Sequence, residues 1–187
     1  NAIKETFNRS WIGKGPKVDE FENNLASYFG FRKNNVVTTN SCTEALFTIF
    51  EYIKYKMSGT LKTEVILSPI NFIGAANAII SSGFTPSIVD VIDSQFNLPN
   101  LEQYINDKTA AILITPYGGM PQIDLDKLYE ICNKKNIPLI LDAACAIGTK
   151  FNGKHISHFS DFALFSFDSM KHIAIGDGGA IVSKDSE

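Results

Sequence analysis

IPLILDAACAIG, residues 137–148, opens with an unbroken apolar run, Ile137–Leu141, and ends that run on an acid, Asp142. A run without polar alternation, short enough to be a strand, is the pattern of a strand buried on both faces. Such strands belong to parallel sheets covered by helices on each side. TAAILIT, residues 109–115, repeats the pattern, and residues 124–135 between the two carry helical spacing. The alternation extends toward the N-terminus. Val18, Phe21, Leu25 and Phe29 predict a helix stopped by Gly30, followed by a β-rich run at 36–39. Ala45, Leu46, Ile49, Phe50 and Ile53 predict a second helix, capped by Asn40 or Ser41. Residues 64–68 and 86–91 read as strands around a helix at 71–82, and 161–167 and 179–183 as the last two strands. The chain is therefore expected to be α/β, a three-layer α/β/α domain around a mostly parallel sheet.

With 187 residues and 44% hydrophobic content, one substantial core can form. A net charge of −3 without a basic tract argues against nucleic acid as a partner. The apolar runs are of strand length, so no membrane association is expected. Asn1–Ser10 is polar and charged, unlike a signal peptide. Cys42, Cys132 and Cys145 are odd in number and scattered, which argues against a disulfide framework or a zinc site. His155 and His158 lack nearby further ligands, so no metal is expected. Together these features predict a soluble, cytoplasmic protein. The sequence begins without methionine and stops at Ser186–Glu187, just after a strand, so it is expected to be a piece of a longer protein.

In open α/β sheets, ligands bind beyond the carboxyl ends of the strands. Asp142, Asn40–Thr43 and Ser68–Phe72 all fall at such ends. Lys171 follows in FALFSFDSMKHIAIGDGGAIV, between the strand-like 162–167 and the turn of Gly176, Gly178 and Gly179. An acid at a strand end, then a lysine in a strand-to-turn segment, is the order used by pyridoxal-phosphate chemistry. The lysine forms the Schiff base and the acid keeps the pyridine nitrogen protonated. Cys42 and Thr43 open a helix whose free N–H groups favour a phosphate. Phe72 is able to lie flat on a cofactor ring, and Ser166 is close enough along the chain to share the phosphate. Singly, these residues have plainer roles as a cap, a surface lysine, a core phenylalanine or a turn. Their order is what favours the chemistry. Cys145, without a paired histidine, reads as a buried and inert thiol.

These segments together resemble the DegT-type sugar aminotransferases, pyridoxal-phosphate enzymes of the aspartate-aminotransferase fold. WIGKGPKVDEFENNLASYFG is similar to the family's opening helix, NSCTEAL to its phosphate-binding segment, and SPINFIGAANAI to its proline-Thr-Phe segment. ITPYGGMPQID, LDAACAIGTKFNGK and FSFDSMKHIAIGDGGAIV resemble the loop, aspartate and lysine segments in the same order. The resemblance implies Lys171 as the Schiff-base lysine, Asp142 as the ring-nitrogen partner and Phe72 as the stacking ring. It assigns the phosphate to the Cys42 amide, Thr43 and Ser166. Cys42, Glu44, Asn71 and Cys145 stand where the family has glycine, alanine, threonine and glutamine or histidine. The implied activity moves an amino group, from glutamate, to a keto sugar linked to a nucleotide. Lys171, where a dehydratase branch carries histidine, favours amino transfer over dehydration. A non-catalytic or regulatory homologue is the alternative from another class. Family members are longer homodimers with a small C-terminal domain, so residues 1–187 are expected to be an incomplete cofactor-binding large domain.

Overall fold

The run that opens the sequence analysis forms strand β5, Leu139–Asp142, with all four residues buried. It starts two residues later than the apolar run because Pro138 has no N–H to give to the ladder. The Pro138 carbonyl still accepts a bond from Ile112 N at 3.1 Å. The computed structural model describes residues 2–9, 13–95 and 97–185. Trp11 and Ile12, in the segment likened to the family's first helix, and Ser186–Glu187 lie outside these.

In chain order the helices are α1 (Ala2–Asn8), α2 (Pro16–Phe29), α3 (Cys42–Lys56), α4 (Ile73–Ser81) and α5 (Leu125–Lys135). The strands are β1 (Val36–Thr39), β2 (Glu64–Leu67), β3 (Thr85–Ile88), β4 (Thr109–Ile114), β5, β6 (Lys150–Phe151), β7 (Lys154–His155), β8 (Phe162–Ser166) and β9 (Gly179–Ser183). Where bounds differ from the sequence reading, local chemistry accounts for it. Pro16, with its φ preset, starts α2 two residues early. At the other end Gly30, at φ 77°, gives its N–H to Ala26 and Ser27 carbonyls. α4 starts later than residue 71 because Ser68–Asn71 is held in a turn. Ser68 Oγ accepts from Ile70 N at 3.0 Å, and Asn71 Nδ2 donates to the Ser68 carbonyl. β3 ends at Ile88 because Asp90 turns its carboxylate onto Val91 N, 2.9 Å away, instead of continuing the ladder.

Seven strands form one sheet in the order β1-β9-β8-β5-β4-β2-β3. β9 runs antiparallel to both neighbours, and the other six strands share one direction. The carboxyl ends of β1, β8, β5, β4 and β2 therefore meet the start of β9 along one edge. The expected three-layer, mostly parallel arrangement is the one found. Leu25 and Phe29 of α2 and Leu125, Leu128 and Cys132 of α5 pack on one face with Leu139, Leu141, Ala163 and Phe165. Ala45, Leu46, Ile49 and Phe50 of α3 and Ala75, Ala78 and Ile79 of α4 pack on the other with Ile140, Phe162 and Leu164. Each fully buried large side chain stabilises the fold by about 1.5–3 kcal/mol. Because strand side chains alternate, Asp142 follows Ile140, and Ser166 follows Leu164, onto the α3 face. Buried Glu22 ties α2 to β1: its Oε1 accepts from Thr38 N and Thr38 Oγ1, both at 2.9 Å.

The short α1 and the β6–β7 hairpin are not anticipated by the sequence reading. The hairpin turns on Asn152 and Gly153, whose φ angles are 48° and 77°. An Asn-Gly pair with positive φ at both residues is the favoured two-residue connection.

Candidate active site

α3 begins where β1 ends. Ser41 caps it, its Oγ accepting from Glu44 N at 3.1 Å, while Thr39 Oγ1 donates to the Ser41 carbonyl at 2.8 Å. The helix can start at this level only because residue 179 has no side chain. A Cβ there would lie 2.5 Å from Ser41 C and 2.6 Å from Cys42 N. Gly179 is therefore a point of close approach inside β9, rather than part of a turn as the sequence reading allows. The turn belongs to Gly176, at φ 102°.

The segment between β8 and β9 carries the lysine. Phe167 N donates to the Gly178 carbonyl at 2.8 Å and Ser169 N to Gly176 at 3.0 Å, so its two limbs are laced together. Asp168 caps its tip. Its Oδ1 accepts from Met170 N and its carbonyl from Lys171 N, both at 2.9 Å. Ser166 Oγ in turn accepts from Asp168 N at 3.3 Å.

All six residues singled out from sequence, Cys42, Thr43, Phe72, Asp142, Ser166 and Lys171, line one cavity of about 440 Å³ at the carboxyl edge of the sheet. That volume falls within the range of roughly 300–1,000 Å³ usual for small-ligand sites. Asp142 is 3% exposed, with Oδ1 accepting from Ala144 N at 3.3 Å. Burial raises its pKa above the ordinary carboxylate value, opposed by that N–H and by the charge of Lys171. Burial, reinforced by the Asp142 charge, also pushes the Cys42 thiol up, so at this residue the backbone N–H is the group available to a ligand. Phe72 is 60% exposed, which excludes the core role. Its ring lies over Gly74, where a Cβ would meet it at 2.5 Å and the Thr43 methyl at 3.4 Å.

Cys145 corrects the sequence reading. It is exposed, not buried, and Lys171 Nζ donates to its Sγ at 3.4 Å. Tyr117, Asp168 and Asp177, which no sequence motif singles out, line the same cavity. The strand-end rule that picks out Asp142 applies equally to Tyr117, just past β4, and to Asp168, just past β8. The two histidines in the hairpin region serve the fold. His155 Nδ1 accepts from Ser157 Oγ at 2.7 Å and its Nε2 donates to the Ile147 carbonyl at 2.9 Å. His158 Nε2 donates to the Phe29 carbonyl at 2.8 Å. Among the described residues no cluster of His, Cys, Asp or Glu is suited to a metal ion, and no helix is long and apolar enough to cross a membrane.

An amine, a buried acid and a helix N-terminus gather at the carboxyl edge of this mostly parallel α/β sheet, a fold shared with solved aminotransferases. The aminotransferase TlmJ from Streptoalloteichus hindustanus superposes with a TM-score of 0.90 at 34% identity, over 99% of this chain and 50% of that one. A putative sugar aminotransferase, Spr1654 from Streptococcus pneumoniae in its PLP-form, gives 0.87 at 28% identity, over 98% and 49%. The chain belongs to the DegT/DnrJ/EryC1/StrS aminotransferase family, whose profile matches residues 1–187. It is 36% identical, over 100% of its length, to the dTDP-4-dehydro-2,3,6-trideoxy-D-glucose 4-aminotransferase of Saccharopolyspora spinosa, covering 48% of that protein. The chain thus spans about half the length of the curated relatives it matches.

Proposed function

We propose that this chain is the cofactor-binding part of a pyridoxal 5'-phosphate-dependent aminotransferase. Its reaction moves an amino group, with glutamate as donor, onto a keto sugar carried by a nucleotide. The observation that carries this reading is the sharing of one cavity by Lys171, Asp142 and the first turn of α3.

The donor set suits the cofactor. A phosphate dianion is met by the N–H groups of Cys42 and Thr43 at the positive end of the α3 dipole, and by the Thr43 and Ser166 hydroxyls. A protonated pyridine nitrogen suits Asp142, because a cation against this buried carboxylate offsets the cost of its charge. Phe72 offers an exposed aromatic face to a flat ring. Bound there, the cofactor supplies an electron sink for the carbon that carries the amino group. Lys171 Nζ is the covalent anchor for the aldehyde carbon. With its amine free, the same nitrogen would be the base and acid placed to move a proton at the donor carbon. Asp142, paired with the ring cation, would hold the ring nitrogen protonated. A lysine at position 171, where the dehydratase branch has histidine, supports amino transfer over loss of water.

The reading includes a homodimer. Phe72, Met170, Ile173 and Ile175 are exposed apolar side chains on segments that flank the cavity, and a second copy laid over them would bury them. It also includes a cytoplasmic location, consistent with three free cysteines. The test is made on the full chain. Added cofactor should give a visible absorbance band, and borohydride should fix the cofactor's mass on Lys171. Lys171→Ala should lose both the band and turnover. Turnover that survives this substitution refutes the assigned role.

A further inference from the structure

Of the three thiols, two are shut away. Cys132 is fully buried, its pKa pushed up to about 12 by burial, and Cys42 is buried with its pKa raised for the same reason. Cys145 alone is exposed, and it opens into the cavity that holds Lys171 and Asp142. Its position is fixed by the backbone. Gly119, at φ 81°, packs so close that a Cβ there would lie 3.3 Å from the Cys145 carbonyl oxygen. Thr149 Oγ1 locks that approach by donating to the Gly119 carbonyl at 2.7 Å. From this rigid seat the sulfur accepts the Lys171 Nζ hydrogen bond at 3.4 Å. The side chain that holds the lysine amine in the free cavity is therefore an oxidisable one.

We propose that Cys145 is a modification site inside the cofactor cavity, and that its oxidation by a hydroperoxide and the loading of cofactor on Lys171 exclude one another. This rests on the function proposed above. The thiol attacks the outer peroxide oxygen. The O–O bond breaks, sulfur is oxidised by two electrons to a sulfenic acid, and the peroxide leaves as water or an alcohol after taking up the thiol proton. The added oxygen stands beside Nζ as a stronger acceptor than sulfur. It engages the amine that must otherwise bond the cofactor's aldehyde carbon, and it occupies space beside that amine. Conversely, a cofactor seated on Lys171 takes the amine away from Sγ and screens the sulfur from the solvent side. A thiol reductant reverses the oxidation: two reductant thiols become a disulfide, the sulfenic oxygen leaves as water, and Cys145 is restored.

The experiment uses the full chain, hydrogen peroxide with dimedone as the trap, and pyridoxal 5'-phosphate. In cofactor-free protein, mass spectrometry should place the dimedone adduct on Cys145. Cofactor at about ten times its Kd should slow that labelling about tenfold, as expected for simple occupancy. Peroxide-treated wild type should fail to develop the visible band and recover it with dithiothreitol. Cys145→Ser and Cys145→Ala should develop the band with or without prior peroxide. Equal labelling with and without cofactor, in protein that does form the band, overturns the inference and leaves the proposed function standing. Loss of the band after peroxide in the two variants as well as in wild type also overturns it. A band that never forms in untreated wild type overturns both.

Discussion

Replacing Gly179 with alanine asks whether α3 needs this glycine to reach the cofactor. Ordinary contact for a Cβ begins at 3.4 Å, whereas here Ser41 C and Cys42 N would lie at 2.5 and 2.6 Å. The first turn of α3 must then retreat by 0.8 to 0.9 Å (3.4 less 2.6 and less 2.5). Both obstructing atoms are main chain and cannot rotate aside. Nor can Gly179 move freely, since it is paired with Thr39 on one side and Ser166 on the other. Overpacking of this kind costs about 1–3 kcal/mol, and a backbone obstacle places it near the top of that range. With a urea dependence of roughly 2 kcal/mol per molar, the unfolding midpoint should fall by about 1 M or more. The displaced Cys42 and Thr43 N–H groups should also weaken cofactor binding at least about tenfold, since a hydrogen bond to a charged group contributes about 1.5–3 kcal/mol. Urea titration and a cofactor absorbance titration read the two effects. Gly148→Ala is the control. Its Cβ would sit 3.9 Å from Tyr28 Oη, and its stability should change by no more than about 0.5 kcal/mol. A Gly179→Ala protein with wild-type midpoint and wild-type cofactor affinity would refute the close-approach argument.

Asp142→Asn should separate stability from function. The folded-state pKa of Asp142 is raised, so its contribution to stability is present below the unfolded value of 3.8 and is lost as pH rises through the folded value. Cofactor-free Asp142→Asn should therefore melt higher than wild type at pH 7, the difference vanishing below about pH 3.8, while turnover falls at least a hundredfold. A lower Tm for the variant at pH 7 would contradict the burial argument. His155 has the opposite sign of dependence. Burial lowers its pKa below 6.5, so its contribution is present above pH 6.5 and is lost as pH falls through the folded value. Thermal melts should show Tm falling between pH 7.5 and 5, and His155→Gln should flatten that segment of the profile; an unchanged slope in the variant sinks this assignment.

The central strands β4, β5 and β8 are legible in the sequence because they are buried on both faces. Runs such as 109–115 and 137–141 have no polar face to confuse strand with loop. Asp142 stood out as the polar residue that closes such a run, and Ser41 as a hydroxyl ahead of a helix. The β6–β7 hairpin carried a usable signal in Asn152-Gly153, but its strands are only two residues long and show no alternation. α1 has no buried residues, and its single apolar pair, Ile3 and Phe7, is exposed and too short a pattern to mark a helix. The exposure of Cys145 is not legible in the sequence because thiols are usually hidden, and whether one faces a cavity depends on the turn after β5. The closeness of Gly179 to Ser41 and Cys42 joins residues far apart in sequence, and no local pattern could carry it.

The reversed direction of β9 has a consequence for how the lysine is delivered. A parallel strand in that slot would need a covering helix to carry the chain back across the sheet. Because β9 returns antiparallel to β8, with Ser166 beside Gly179, the intervening residues go out and come back over the same rim. Lys171 rides on a looped strap whose two attachment points are adjacent. Such a strap can lift or lower its amine as bonding partners change, while its attachments and the central strands keep their register.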